Sequence, residues 1–367
     1  MLILEGILAV AVLGFDWKSD LHPEGKFRLL WHQAYETTRD VSQMELSAKG
    51  GVFPDLQPWL KTGVELSTAG TNLDSRPDRV TLAGGMSDKT IALGQAYLDF
   101  VWKTDLLESH AFAGKFESPL FYSPLLWDHE IRPEGLLESV SFNVSSEPEV
   151  HSAFYAGQFS VDQVSESITN GTPMRRSWLF EQGILGSYRS AAIAAVEVSL
   201  AFNFYYFADL SERVANLSGQ RGNSIIGTIG NNPKFRYHFA PIENVLQISA
   251  VPLGIRTGLL GAFAINFRTP DKQRSFFVQA DIGNVWRKRN FVGSLSYYYN
   301  EPNTSVALFS DADYGYANRK GPRAEVSYFV IDRLRLGMSF ALLETLADSV
   351  YQANRKEFYL EAEARFF

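Results

Sequence analysis

The stretch from Ser190 to Ala208, SAAIAAVEVSLAFNFYYFA, is the most apolar of the chain and almost long enough to cross a bilayer as one helix. Its polar residues nevertheless fall on alternate positions. Glu197, Ser199, Asn203 and Tyr205 share one parity, and Val196, Val198, Leu200, Phe202, Phe204 and Tyr206 share the other. A helix would scatter these residues around its circumference, whereas a strand sorts them onto two faces. The segment therefore reads as a strand with one fully apolar face.

The same sorting recurs along the chain. Phe27, Leu29, Trp31 and Tyr35 oppose Lys26, Arg28 and His32. Leu60, Val64 and Leu66 oppose Lys61, Glu65 and Ser67, and Ala96, Leu98, Phe100 and Trp102 oppose Gln95, Tyr97 and Asp99. Near the end, Leu334, Leu336, Met338, Phe340 and Leu342 oppose Arg333, Arg335 and Ser339. The last segment sets Phe358, Leu360, Ala362, Ala364 and Phe366 against Glu357, Glu361, Glu363 and Arg365. One such strand also suits a soluble sandwich. Many strands of about ten residues, with charges on one parity and aromatics on the other, suit a membrane barrel. Lipid offers no partner for a bare sheet edge, so the sheet must close on itself.

Composition removes the rivals. The 367 residues include no cysteine, which excludes a disulfide framework and thiolate chemistry. Aromatic residues reach 14%, too many for a disordered chain. A net charge of -7 leaves no broad basic footprint, so no nucleic-acid partner is expected.

Sixteen strands can be placed, at about 25–36, 41–50, 57–70, 89–103, 108–117, 134–145, 150–163, 175–187, 190–207, 233–250, 254–268, 273–284, 288–300, 322–332, 333–346 and 355–367. The long segments 71–88, 118–133, 164–174, 208–232 and 301–321 then fall on odd-numbered connections, and the even ones are short. Long loops on one side and tight turns on the other are the outer-membrane arrangement. The expectation is an all-β, transmembrane, antiparallel up-and-down β-barrel of about sixteen strands, eighteen being the other count considered. It occupies residues 25–367, and Pro241 interrupts strand 233–250 at a bulge. Residues 1–24 form an apolar leader or signal-like segment with an Ala9-Val10-Ala11 triplet, although Glu5 interrupts it and no basic region precedes it.

The segment ALGQAYLDFVWKTDLLESHAFAGKFESPLFYSPLLWDHEIRPEGL (92–136) resembles the core signature of the putative-porin family of Gram-negative outer membranes. Its parts are a Gln-Ala-Tyr strand, a Gly-Lys strand, a loop with paired acids and then Pro-Glu-Gly. Residues 59–71 and 296–321 are similar to the family's third strand and its later aromatic strand with an acidic loop. Two features depart from the pattern: the poor signal segment, and a terminal Phe367 on the charged parity, with Phe366 facing lipid instead. The resemblance implies a water-filled channel for passive diffusion of small hydrophilic solutes and ions in the bacterial outer membrane. Its partners would be membrane lipid, lipopolysaccharide and those solutes, and a homotrimer is the assembly to consider.

The resemblance further implies that loop 118–133 bends into the lumen, with Asp128 and Glu130 at the pore constriction. Lys115, whose strand leads into that loop, joins them. Pore-lining candidates on the inward parity are Lys61, Glu65, Gln95, Tyr97, Asp99, Arg256, Arg268, Arg333 and Arg335. Opposite charges across a narrow wet gap set up a transverse field that orients dipolar solutes. Solvation of a loop and of the lumen is the plainer account of the same charges.

Other motifs are weak. Asp311-Ala312-Asp313-Tyr314-Gly315 is similar to the start of a calcium loop but lacks the later acid, and the six histidines show no zinc spacing. No metal, cofactor or catalytic residue is therefore assigned. Asp128-His129 would suit a barrel hydrolase, yet no G-x-S-x-G accompanies it. The alternatives to a general diffusion channel are a substrate-selective sugar or anion channel, an outer-membrane hydrolase, and an adhesive barrel with a plugged lumen.

Overall fold

The computed structural model describes residues 21–36, 40–69, 79–82, 90–146, 148–163, 176–190 and 195–366. Nearly all of the expected leader, and most of segments 71–88 and 164–174, lie outside these residues. The first half of the chain holds β1 (Pro23–Glu36), β2 (Asp40–Val52), β3 (Asp55–Gln57), β4 (Leu60–Ala69), β5 (Val80–Thr81), β6 (Thr90–Lys103), β7 (Leu107–Lys115), β8 (Glu134–Ser146), β9 (Glu149–Gln163) and β10 (Arg176–Arg189). The second half holds β11 (Glu197–Ala208), β12 (Ile225–Thr228), β13 (Asn231–Phe235), β14 (Pro241–Ala250), β15 (Thr257–Asn266), β16 (Arg274–Ile282), β17 (Asn290–Asn300), β18 (Arg319–Ile331), β19 (Leu334–Thr345) and β20 (Arg355–Phe366).

Sixteen of these strands pair antiparallel in chain order, and β20 closes on β1 from Gly25 opposite Phe366 to Glu36 opposite Arg355. The short β3 and β5 are the two extra strands of the wall. β3 pairs with β4, and β5 pairs with β2 at Glu45 and Leu46, beyond the Lys49–Val52 stretch where β4 pairs with it. The result is a closed sixteen-stranded barrel, which leaves no open edge in lipid. Among the described residues no helix is long and apolar enough to cross a membrane.

The two-faced pattern explains the wall. In β11, Leu200 and Phe202 are 55% and 45% exposed on the outside, while Ala201 and Asn203, which alternate with them, are fully buried on the inside. Connections 116–133, 209–240 and 301–318 leave from one rim, and the tight 104–106 and 332–333 from the other.

The strand expected over 233–250 is instead two pieces. Asn231–Phe235 pairs with Ile225–Thr228 in a separate hairpin, and the barrel strand begins at Pro241. Proline has no N–H to give a ladder, so it starts this strand and does not run through it. The count of sixteen is unaffected. Connection 209–240 also carries a helix, α1 (Glu212–Gln220), whose N-cap Ser211 accepts the Val214 N–H.

Inside the barrel the polar-inward rule breaks locally. Phe159, Tyr205, Phe207, Phe277 and Tyr298 point inward and are buried, and they form one apolar cluster with Leu125, Leu126, Trp127 and Phe309 of two connections. Wall aromatics replace polar residues where these loops rest on them.

Candidate functional site

Connections 116–133 and 301–318 are bound to each other. Trp127 stacks on Phe309 with ring centroids 5.5 Å apart, and Phe309 stacks on Phe207 of the wall at 5.7 Å. The Asp128 N–H donates to the Phe309 carbonyl at 2.7 Å, and the Asp311 N–H to the Pro124 carbonyl at 3.1 Å. Asn300 and Ser310 both donate to the Leu125 carbonyl. A second anchor holds Ser123, whose N–H donates to the buried Glu243 carboxylate at 3.3 Å.

From this platform Glu130 reaches the wall. Its Oε1 lies 2.6 Å from Arg28 Nη1 of β1 and 2.8 Å from Arg79 Nη2. Arg79 also meets Asp313 at 3.4 Å, and Arg323 meets Asp313 at 3.5 Å. Arg28 continues to Glu361 at 3.2 Å, and Arg335 joins Glu361 and Glu363. Arg132 pairs with Glu65 at 3.4 Å. Guanidinium and carboxylate groups thus alternate from the inner loops across β18, β19, β20 and β1, each charge held by its opposite.

The two acids of the sequence motif sit in unlike surroundings. Glu130 is 4% exposed. Burial alone would raise its pKa, but Arg79 and Arg28 outweigh that and hold it well below the usual carboxylate range. Asp128 is 2% exposed, and burial, with Asp311 and Glu130 nearby, raises its pKa well above the usual range. Asp128 is satisfied by amides, accepting the Glu130 N–H at 2.9 Å and the Ala312 N–H at 3.1 Å. Burial and Asp313 push Asp311 up to about 6. The plainer account of these two acids, solvation of a loop, does not hold, because the loop carrying them is packed against a second loop and the wall and buries both.

Space remains beside them. One cavity of about 470 Å³ is lined by Tyr122, Trp127, Arg256, Gln279 and Arg323, among others. A second, of about 430 Å³, is lined by Lys26, Arg28, Glu65, Glu130 and Arg132. His129 borders both, and also a smaller cavity of about 150 Å³ between them and the Tyr359 wall.

A closed barrel with two inner loops and a charged interior can be compared with known proteins. Residues 24–248 match the family described as putative porin, more than half of the chain. The chain belongs to the putative-porin family. Among solved structures, OprB of Pseudomonas putida at high pH is similar over 95% of each chain, at 10% identity and a TM-score of 0.60. OmpF of Salmonella typhi, in complex with daunomycin, is similar over 94% of this chain and 97% of its own, at 11% identity and a TM-score of 0.51. At such identities these neighbours report the barrel fold. No curated protein matches the chain. This porin is an outer-membrane channel for small solutes.

The other sequence candidates divide by where the porin puts them. Glu65, Gln95, Tyr97 and Asp99 are on the inward rows of β4 and β6. Gln95 accepts the Glu117 N–H at 3.0 Å, Tyr97 packs near Phe112, and Asp99 pairs with His110 at 3.0 Å. Arg335 is in the charged chain described above, and Arg256 borders the larger cavity. Lys61 lies at the short-turn rim, half-exposed, 3.9 Å from Asp55. Arg268 and Arg333 fall in connections beyond their strands and are exposed.

Lys115 is a correction. The register places it opposite Ala96 and Glu134, on the outer face, where it pairs with Glu134 at 3.2 Å. Three residues central to the network, Arg79, Asp313 and Arg323, are absent from the sequence candidates. Arg79 and Asp313 lie in connections, where parity carries no information.

Proposed function

We propose that solutes cross this porin through the gap bordered by His129, between the inner loops and the wall of β1 and β18–β20. Connection 116–133, with Asp128 and Glu130, narrows the lumen. The observation that carries this reading is the Arg28–Glu130–Arg79 bridge, which ties an inner loop to the wall and divides the open space. Small hydrophilic solutes and ions diffuse passively past facing rows of fixed opposite charge, which favour dipolar over apolar solutes. The barrel is an integral, multi-pass protein of the bacterial outer membrane, surrounded by lipid and lipopolysaccharide, and a homotrimer is its proposed assembly.

The test is ion selectivity. Changing Asp128→Asn together with Glu130→Gln keeps volume nearly constant and removes the one carboxylate that Arg28 and Arg79 share. The reversal potential in a salt gradient should move toward anion preference, more at low salt than at 1 M, where the Debye length is about 3 Å. A double variant with unchanged selectivity at low salt would remove these residues from the constriction.

A substrate-selective reading draws support from one feature, the Tyr122, Trp127 and Tyr314 rings around the larger cavity beside Arg256 and Arg323. Saturable block of single-channel current by a sugar or organic anion would favour it. The hydrolase reading gains nothing from His129. Among the described residues no serine or threonine hydroxyl hydrogen-bonds to it, and Asp128 is 3.6 Å away.

A further inference from the structure

The Asp311 motif is similar to a calcium loop that lacks its later acid, and folding supplies the absent ligand from elsewhere. Asp128 Oδ1 lies 3.6 Å from His129 Nδ1, and Asp311 Oδ2 lies 3.9 Å from the same nitrogen. One donor atom from each of the three residues falls within 4.8 Å of the others. Two come from connection 116–133 and one from connection 301–318.

A second observation points to a ligand at this spot. Asp311 is 7% exposed, and its Oδ1 accepts the Asp313 N–H at 2.7 Å. Among the described residues nothing donates a hydrogen bond to its Oδ2, which faces the gap toward His129 at a distance beyond hydrogen-bond range. Among the described residues neither Asp128 nor Asp311 has a lysine or arginine within ion-pair distance, although close by Glu130 meets Arg28 and Arg79 and Asp313 meets Arg79 and Arg323. His129 itself has 62% of its side chain exposed, so the open side of the triangle meets the water of the lumen.

We infer that Asp128, His129 and Asp311 form a binding site for a divalent transition-metal ion of the zinc class. Two carboxylates with an imidazole suit zinc, nickel or cobalt better than calcium, which prefers oxygen ligands throughout. Ligand bonds of about 2.0–2.2 Å require the three donors to close by a fraction of their present separation, and His129 is free to move. Water from the lumen takes the fourth position. The ion ties together two inner loops that lie far apart in the sequence, and it adds positive charge where the cavities meet.

The experiment uses the purified, detergent-solubilised porin and zinc chloride. Isothermal titration should show one zinc site per chain, reversed by a chelator. His129→Ala, at an exposed position that leaves the packing intact, should weaken zinc binding by at least about tenfold, the scale seen when metal-site residues are altered. Asp311→Asn should weaken it as well. His110→Ala should leave the site unchanged, although His110 also sits beside two carboxylates, Asp99 and Glu108. Wild-type protein that takes up no zinc, or a His129→Ala variant with unaltered zinc affinity, would overturn the assignment. A separate arm, which rests on the channel reading, measures current in planar bilayers. Zinc should lower conductance reversibly in wild type and not in His129→Ala. Zinc binding without any change in current would leave the metal site standing and count against the route past His129.

Discussion

Arg28 Nη1 and Glu130 Oε1 are 2.6 Å apart and 102 residues apart in sequence, so the first strand of the wall is fastened to a loop between the seventh and eighth strands. Both side chains are buried, and Arg79 shares the same carboxylate oxygen. A double-mutant cycle of Arg28→Ala and Glu130→Ala, read by thermal unfolding, should give a coupling of about 0.5–3 kcal/mol. Arg28→Ala alone should cost less than Glu130→Ala, because Arg79 still holds the carboxylate in the first case, whereas two buried guanidiniums lose it in the second.

The faces of the wall make a sharper contrast. Leu200→Arg or Phe202→Arg puts a charge into lipid and should destabilise the barrel by about 2–4 kcal/mol if the site lies near the bilayer midplane. Ser199→Arg, on the inward row opposite Gln247, should fold with a much smaller penalty and alter conductance instead. Urea titration of refolded protein in lipid vesicles compares the two. Equal penalties would contradict the assigned faces.

Trp127 tests the docking of the inner loops. It is 5% exposed and stacked on Phe309, and truncation to alanine leaves a cavity costing about 3–5 kcal/mol. The wall does not depend on this contact. Trp127→Ala should therefore still insert as a barrel but conduct with larger, noisier single-channel steps. A quiet channel of wild-type size would show that the stack does not hold the loops in place.

Two basic residues should behave differently although the sequence groups them. Arg335→Gln removes a charge from the interior and should move the reversal potential toward cation preference at low salt. Lys115→Gln should leave it nearly unchanged, since Lys115 pairs with Glu134 on the outer face. Comparable shifts from both would place Lys115 in the lumen after all.

The contrast between these two residues shows where sequence reading works. Lipid tolerates few polar groups, so parity along Leu200, Phe202 and Phe204 or along Leu336, Met338 and Phe340 is forced, and the strands are visible in the sequence. Lys115 could have been read by the same rule. Its nearness to the inner loop suggests the lumen, but His110 and Phe112 hold the inward positions of β7 opposite Val101 and Asp99, which leaves Lys115 outside. The interior network was not legible, because Arg79 and Asp313 lie in connections, and Arg79 meets Glu130 and Asp313 only after folding. One signal was available: the inward aromatics Phe159, Tyr205, Phe277 and Tyr298 interrupt a polar parity, and each such interruption marks wall covered by a loop. The split at Pro241 has its own cause: a residue without an N–H cannot continue the ladder, so the alternation from Lys234 to Phe239 does not run on into the barrel strand.

The pairing of β1 with β20 carries a consequence for how this molecule comes into being. Gly25 meets Phe366 and Glu36 meets Arg355, so the seam joins segments separated by almost the whole length of the chain. Until β20 arrives, β1 offers one side of its backbone unpaired, a ready template for any stray strand. Contacts this distant in sequence also form slowly. The two ends of the chain must therefore be kept from pairing with other copies until they meet each other, and the wall closes only with that last seam.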